Sequence, residues 1–119
     1  MDRKDNRAYL QDMLDNARFV HGYSRDFTLD DVRERTDVRF VIERGLQNIG
    51  EAAFQLKRIA PETLEGITEH ERIIGMRHIL VHGYDQVKPD VLWQVASTKL
   101  DTLISDIQTA MARLTENTP

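Results

Sequence analysis

Arg77, His82 and Tyr84 bring a cation, a titratable ring and a phenol together in the pattern R-x4-H-x-Y. That set suits phosphate chemistry without a metal. The same stretch, MRHILVHGY from Met76 to Tyr84, also places His78 and His82 four residues apart. On a helix that spacing offers two imidazoles to one metal ion. The two readings compete for His82.

RNA can be cut without a metal because its 2′-OH is an internal nucleophile. A base removes the 2′ proton, the oxygen attacks the adjacent phosphorus, and an acid protonates the departing 5′ oxygen. Histidine suits either proton transfer, since its reference pKa of about 6.5 lies close to neutrality. Arginine suits the phosphorane, because its planar fork holds two oxygens as negative charge builds. A tyrosine hydroxyl can donate to the same phosphate or orient the base. These residue types match the reaction, although R-x4-H alone is a common spacing.

The metal reading is thinner. It requires further ligands, and the other histidines, His21 and His70, belong to no spaced motif. Ile79 follows His78 where H-E-x-x-H would need glutamate. Asp85 is the nearest carboxylate, and two imidazoles with one carboxylate are generic. No metal and no other cofactor is expected.

Helices must position these residues, since apolar residues recur at helical spacing along most of the chain. Leu10, Met13, Leu14, Ala17 and Val20 predict a first helix from Arg3 to His21, closed by Gly22. Thr28 reads as the N-cap of a short helix carrying Leu29 and Val32. Val38, Ile42, Gly45, Ile49, Ala52, Leu56 and Ile59 form a long seam that Pro61 ends. Gly45 and Ala52 are small enough there to admit a close neighbour. Thr68 and Glu71 read as a capping box opening the motif helix, which Gly83 ends after His82. Pro89 begins a last helix buried through Leu92, Ala96, Leu100, Leu103, Ile107, Met111 and Leu114. The expectation is an all-α up-down bundle of four longer helices and one short helix. It is read as one domain spanning 1–119, with 115–119 a frayed tail.

On a helical wheel, Ile73, Ile74, Met76, Ile79, Leu80 and Val81 cover most of the motif helix, which predicts burial on several sides. Glu71, Gly75, His78 and His82 make a narrow polar strip. Arg77 falls inside the apolar arc, where its charge needs a partner, and Glu51 is a candidate. The bland version is an ion pair that only fixes bundle register. Arg77 and His82 point about 140° apart on an ideal helix. A two-fold dimer would relieve this by bringing two motif helices to one cleft, with Gly75 allowing close approach.

The chain has 119 residues, 40% hydrophobic and 30% charged, with a formal charge of −4 and no cysteine. The absence of thiols excludes a disulfide scaffold, a thiolate zinc site and a cysteine nucleophile, and fits a reducing cytoplasm. The first residues, MDRKDNRAYLQDML, contain no apolar leader, and no apolar run suggests a membrane span. The acidic balance argues against bulk coating of nucleic acid, so neither DNA nor a membrane is an expected partner. Arg33, Arg35, Arg39 and Arg44 alternate with acids such as Asp37 and Glu43 and read as a solvated helix face.

The segments "IERGLQNIGEAA" and "IIGMRHILVHGYDQVKPDVLWQV" resemble the HepT-like toxins of the HEPN superfamily. The match spans nearly the whole chain. The resemblance implies an all-α homodimer acting as a metal-independent ribonuclease, with its site between the two copies. Arg77 and His82 match the family's catalytic arginine and histidine, and Tyr84 its motif tyrosine. The implied partner is MntA, a minimal nucleotidyltransferase antitoxin that transfers AMP onto that tyrosine in type VII toxin–antitoxin pairs. Added phosphate charge would oppose an RNA phosphate there. The family often has asparagine after the arginine, where this chain has His78. A competing function is a non-catalytic helical subunit that binds such a transferase and regulates it or presents its substrate. A third is a plain dimerisation module.

Overall fold

The computed structural model describes residues 5–83 and 87–116, and all regular structure among them is helical. Helix α1 spans Asn6–Ser24, with the Asp5 carboxylate accepting from Ala8 N–H at 2.8 Å as its N-cap. The expected start at Arg3 lies outside the described residues. Gly22 does not end α1. The helix continues through it to Ser24, whose buried hydroxyl donates to the carbonyls of His21 and Ala96. A tertiary bond near the terminus thus carries the helix past its local stop signal.

Helix α2, Leu29–Glu34, opens on a full capping box, with Thr28 and Asp31 bonding each other's amides. Helix α3, Thr36–Ile59, buries the seam from Val38 to Leu56, but Ile59 is half exposed. Ala60 and Leu64 cover that end of the core instead. A side chain added at Gly45 would collide with Val20, so α1 lies directly against the α3 backbone there.

Pro61–Leu64 forms a single turn, α4, that apolar spacing did not indicate. Helix α5, Pro61's successor in the bundle, spans His70–His82 and carries the motif. Its expected capping box is absent. Asp106 takes the Thr68 amide at 2.8 Å, and the chain enters α5 through Glu69 in the left-handed region, φ 59°. Gly83, φ 63°, ends the helix as expected.

The last helix begins at Pro89 but is not continuous. Helix α6, Pro89–Gln94, passes through a π-turn at Val95–Lys99 into α7, Leu100–Glu116. Two successive steps of four, Leu92 to Ala96 to Leu100, drift off the face of a straight helix. One wide turn returns them to the core, where all three are buried. Arg33 joins α2 to α6 through both oxygens of Asp90, at 3.0 and 2.7 Å. Among the described residues, no helix is long and apolar enough to cross a membrane.

Candidate functional site

Arg77 is fixed at its root by a glycine. A Cβ at Gly50 of α3 would overlap the Arg77 Cβ and lie 2.9 Å from the Ile73 carbonyl. Helix α5 therefore rests on α3 at the level of its arginine. From there the side chain runs along α3, with its Nε donating to Glu51 Oε2 at 2.7 Å. The guanidinium carbon lies 4.5 Å from the Phe54 ring centroid. Gln55 donates to the other Glu51 oxygen at 3.3 Å, so both carboxylate oxygens are engaged.

This leaves the Arg77 side chain only 16% exposed, against 44% for Glu51. Partial burial pushes the Glu51 carboxyl up. The hydrogen bonds from Arg77 and Gln55, with the guanidinium charge, outweigh that effect and hold it below the usual carboxylate range. Nε and the ring contact account for every Arg77 interaction among the described residues. Among the described residues, the terminal Nη atoms carry no hydrogen bond.

His82 stands elsewhere on α5. Its ring lies 4.3 Å, centroid to centroid, from that of His78 at an interplanar angle of 62°, and both residues are exposed. The helix is still α-helical at His82, so the large angle between Arg77 and His82 persists. Arg77 faces α3, while His78 and His82 share an outer ridge with Gly75, beside which there is open space. Within one chain the arginine and histidine do not meet on one face. Tyr84 and Asp85 lie outside the described residues.

The expectation of burial on several sides does not hold. No α5 residue is fully buried, and Ile79 and Val81 are 41% and 43% exposed. Ile73, Ile74, Met76 and Leu80 pack on the core from one flank only. Among the described residues, no three histidine or carboxylate side chains gather into a metal-holding group. Gly50 and Phe54 went unnoticed in the sequence. Their signal was the spacing of Phe54 three residues after Glu51, on the turn that a partner of Glu51 must cross.

Residues 13–110 match the family described as "Ribonuclease HepT-like". The chain is 24% identical over 108 residues to "Putative RNase MJ1380" of Methanocaldococcus jannaschii, covering 91% of this chain and 98% of that protein. It is 26% identical over 113 residues to "Putative RNase MJ0127" of the same organism, covering 91% and 88%. It is 25% identical over 105 residues to "Probable ribonuclease HepT" of Thermococcus cleftensis, covering 85% and 91%. No solved structure matches the chain.

Proposed function

The chain belongs to the HepT-like ribonuclease family, and on that premise we propose that it is a metal-independent endoribonuclease using Arg77 and His82. The supporting observation is the division of labour within the Arg77 guanidinium. Glu51 takes Nε, Phe54 covers the plane, and the Nη edge is left for a phosphate. His82 then serves as proton acceptor or donor. The 2′ oxygen, relieved of its proton, forms a bond to phosphorus as the bond to the 5′ oxygen breaks. The leaving oxygen takes a proton, giving a 2′,3′-cyclic phosphate and a 5′-hydroxyl.

Because Arg77 and His82 diverge on one helix, the complete site needs two copies. The motif helices pair along the ridge of Gly75, His78 and His82, and His78 contacts RNA or the opposing helix. Exposed Ile79 and Val81 beside that ridge suit such a contact. In this reading the protein is the toxin of a type VII pair. Its partner, a minimal nucleotidyltransferase antitoxin, silences it by transferring AMP to Tyr84.

The test is incubation of purified protein with total cellular RNA in excess EDTA, beside folded Arg77→Ala and His82→Ala variants. Cleavage by the parent alone, leaving cyclic phosphate ends, is expected. Loss of parental cleavage on adding EDTA would revive the His78/His82 metal pair. A parent whose intact mass shows no AMP on Tyr84 and which cleaves nothing would favour the non-catalytic transferase-binding subunit. The Glu51 pairing gives that second reading its support, since a purely structural arginine would be paired in the same way.

A further inference from the structure

Exposed large apolar side chains are segregated by type. The aliphatic ones, Ile79, Val81 and Val91, lie on α5 and α6, with Ile59 at the end of α3. The aromatic ones are Phe19 on α1, 55% exposed, and Phe40 on α3, 60% exposed. The two sets face different chemistry.

Phe40, Arg44, Gln47, Glu51 and Phe54 follow one another at spacings of four and three, so they form one outward stripe along α3. Its far end is the Arg77 site, where Glu51 and Phe54 hold the guanidinium. From Phe54 to Phe40 the stripe is about 21 Å long. Arg44 makes no ion pair among the described residues. Arg58, one turn beyond Phe54, meets only the neutral Gln55 amide oxygen among the described residues. With Glu51 paired to Arg77, the α3 stripe itself presents Arg44 and Arg58 on a chain whose total charge is −4.

Beside it runs a ladder of rings. Asn16 bonds Asn48, and Val20 lies over Gly45, which sets α1 antiparallel to α3 and brings Phe19 level with Arg44. Phe19 and Tyr23 stack at 5.8 Å, Tyr23 and Phe27 tilt together at 4.8 Å, and the Arg35 guanidinium caps Phe27 at 5.3 Å. By the same register Asp12 and Asp15 lie level with Ala53 and Gly50, so they border the Arg77 end of this face on its α1 side.

We propose that this face of α1 and α3 is a stacking surface for single-stranded RNA, guiding the strand to Arg77. The inference rests on the ribonuclease reading and deepens it. Exposed rings interleaved with arginines that make no ion pair among the described residues suit a nucleic-acid single strand: bases stack on the rings, and guanidinium groups meet the phosphates. Phe19 and Phe40 accept bases, while Arg44 contacts the backbone between them.

The test measures anisotropy of labelled oligoadenylates, two to about ten nucleotides long, on the His82→Ala protein in EDTA. Affinity is expected to rise with length until the strand spans the stripe. Phe19→Ala and Phe40→Ala should each weaken the longer oligomers about fivefold or more and flatten the length dependence. Phe40→Trp should keep it. Both rings are exposed, so unchanged melting temperatures will establish that the variants are folded. Unaltered length dependence in both alanine variants overturns the stacking surface but leaves the ribonuclease intact. A change in oligomeric mass on sedimentation, with RNA affinity unaltered, overturns it in favour of a protein interface. If the parent neither binds nor cleaves RNA, the surface falls together with the ribonuclease reading.

Discussion

Arg77 and Glu51 meet through one nitrogen and one oxygen, Nε to Oε2 at 2.7 Å, on the margin of the core. A fully buried pair would leave a stranded charge when halved, at a cost of about 3–5 kcal/mol. Glu51 is 44% exposed, so solvent screening keeps this contact below about 1 kcal/mol. Arg77→Ala should therefore lower unfolding free energy by only about 1 kcal/mol, ring contact included. RNA cleavage should fall by a factor of about a hundred or more. Denaturant melts and initial rates on the same preparations will separate the two effects. A large stability loss without a catalytic one would make Arg77 structural.

The Glu51 carboxyl is held below its ordinary value in the folded state, despite the opposing effect of partial burial. A depressed folded pKa means that its stabilisation is present above the unfolded value of about 4.3 and disappears as pH falls through the folded value. Glu51→Gln should leave a smaller fall in stability across that acidic window than the parent shows. It should also leave Arg77 less firmly placed, so kcat should drop while the melting temperature near neutral pH moves little. Urea melts from pH 6 downward, taken with kcat, test both parts. An acid limb identical to the parent's would show that the carboxylate is not linked to folding.

At Gly50 the α3 backbone comes directly against α5. Alanine there meets the Arg77 Cβ and the Ile73 carbonyl, and the latter belongs to a helix backbone that cannot swing aside. Gly50→Ala should cost about 1–3 kcal/mol, as overpacked sites do. Because the strain falls at Arg77, cleavage should drop in proteins that remain fully folded. Preserved activity alongside reduced stability would mean that α5 shifts without moving the guanidinium.

Ser24 is the sole buried polar side chain among the described residues, and its hydroxyl reaches the Ala96 carbonyl in the π-turn at 3.3 Å. Ser24→Ala should cost about 1 kcal/mol and lower the melting temperature by a few degrees. Far-UV circular dichroism during thermal unfolding would detect it. A neutral result would mean that the π-turn is held by Leu92, Ala96 and Leu100 alone.

What could be read from the sequence divides along a physical line. The α3 seam and the Thr28 cap depend on residues within a turn or two, and the structure has both. An arginine in an apolar arc demands an anion, so the Arg77–Glu51 contact was also legible. Misread signals were those that distant residues override. Asp106 takes the Thr68 amide from 38 residues away, and Ser24 carries α1 past Gly22 to reach Ala96. The one-sided packing of α5 was hidden because periodicity reports an apolar arc, not whether anything in the same chain covers it. The stacked rings of α1 and the stripe of α3 needed the antiparallel register before they became one surface.

The open ridge beside that arc gives Gly75 two opposite roles. Among the described residues, nothing lies within 4 Å of a Cβ built there, so Gly75→Ala meets no obstacle from them in an isolated chain. It should raise monomer stability by about 0.5–1 kcal/mol, the ordinary gain of replacing a mid-helix glycine. If a second motif helix packs along this ridge, the same methyl group pushes the two helices apart. Gly75→Ala should then weaken self-association in sedimentation velocity and reduce cleavage at low protein concentration, with activity partly restored at high concentration. A more stable variant with unchanged self-association and unchanged activity would show that the copies do not meet at Gly75. The divergence of Arg77 and His82 would then have to be reconciled within one chain.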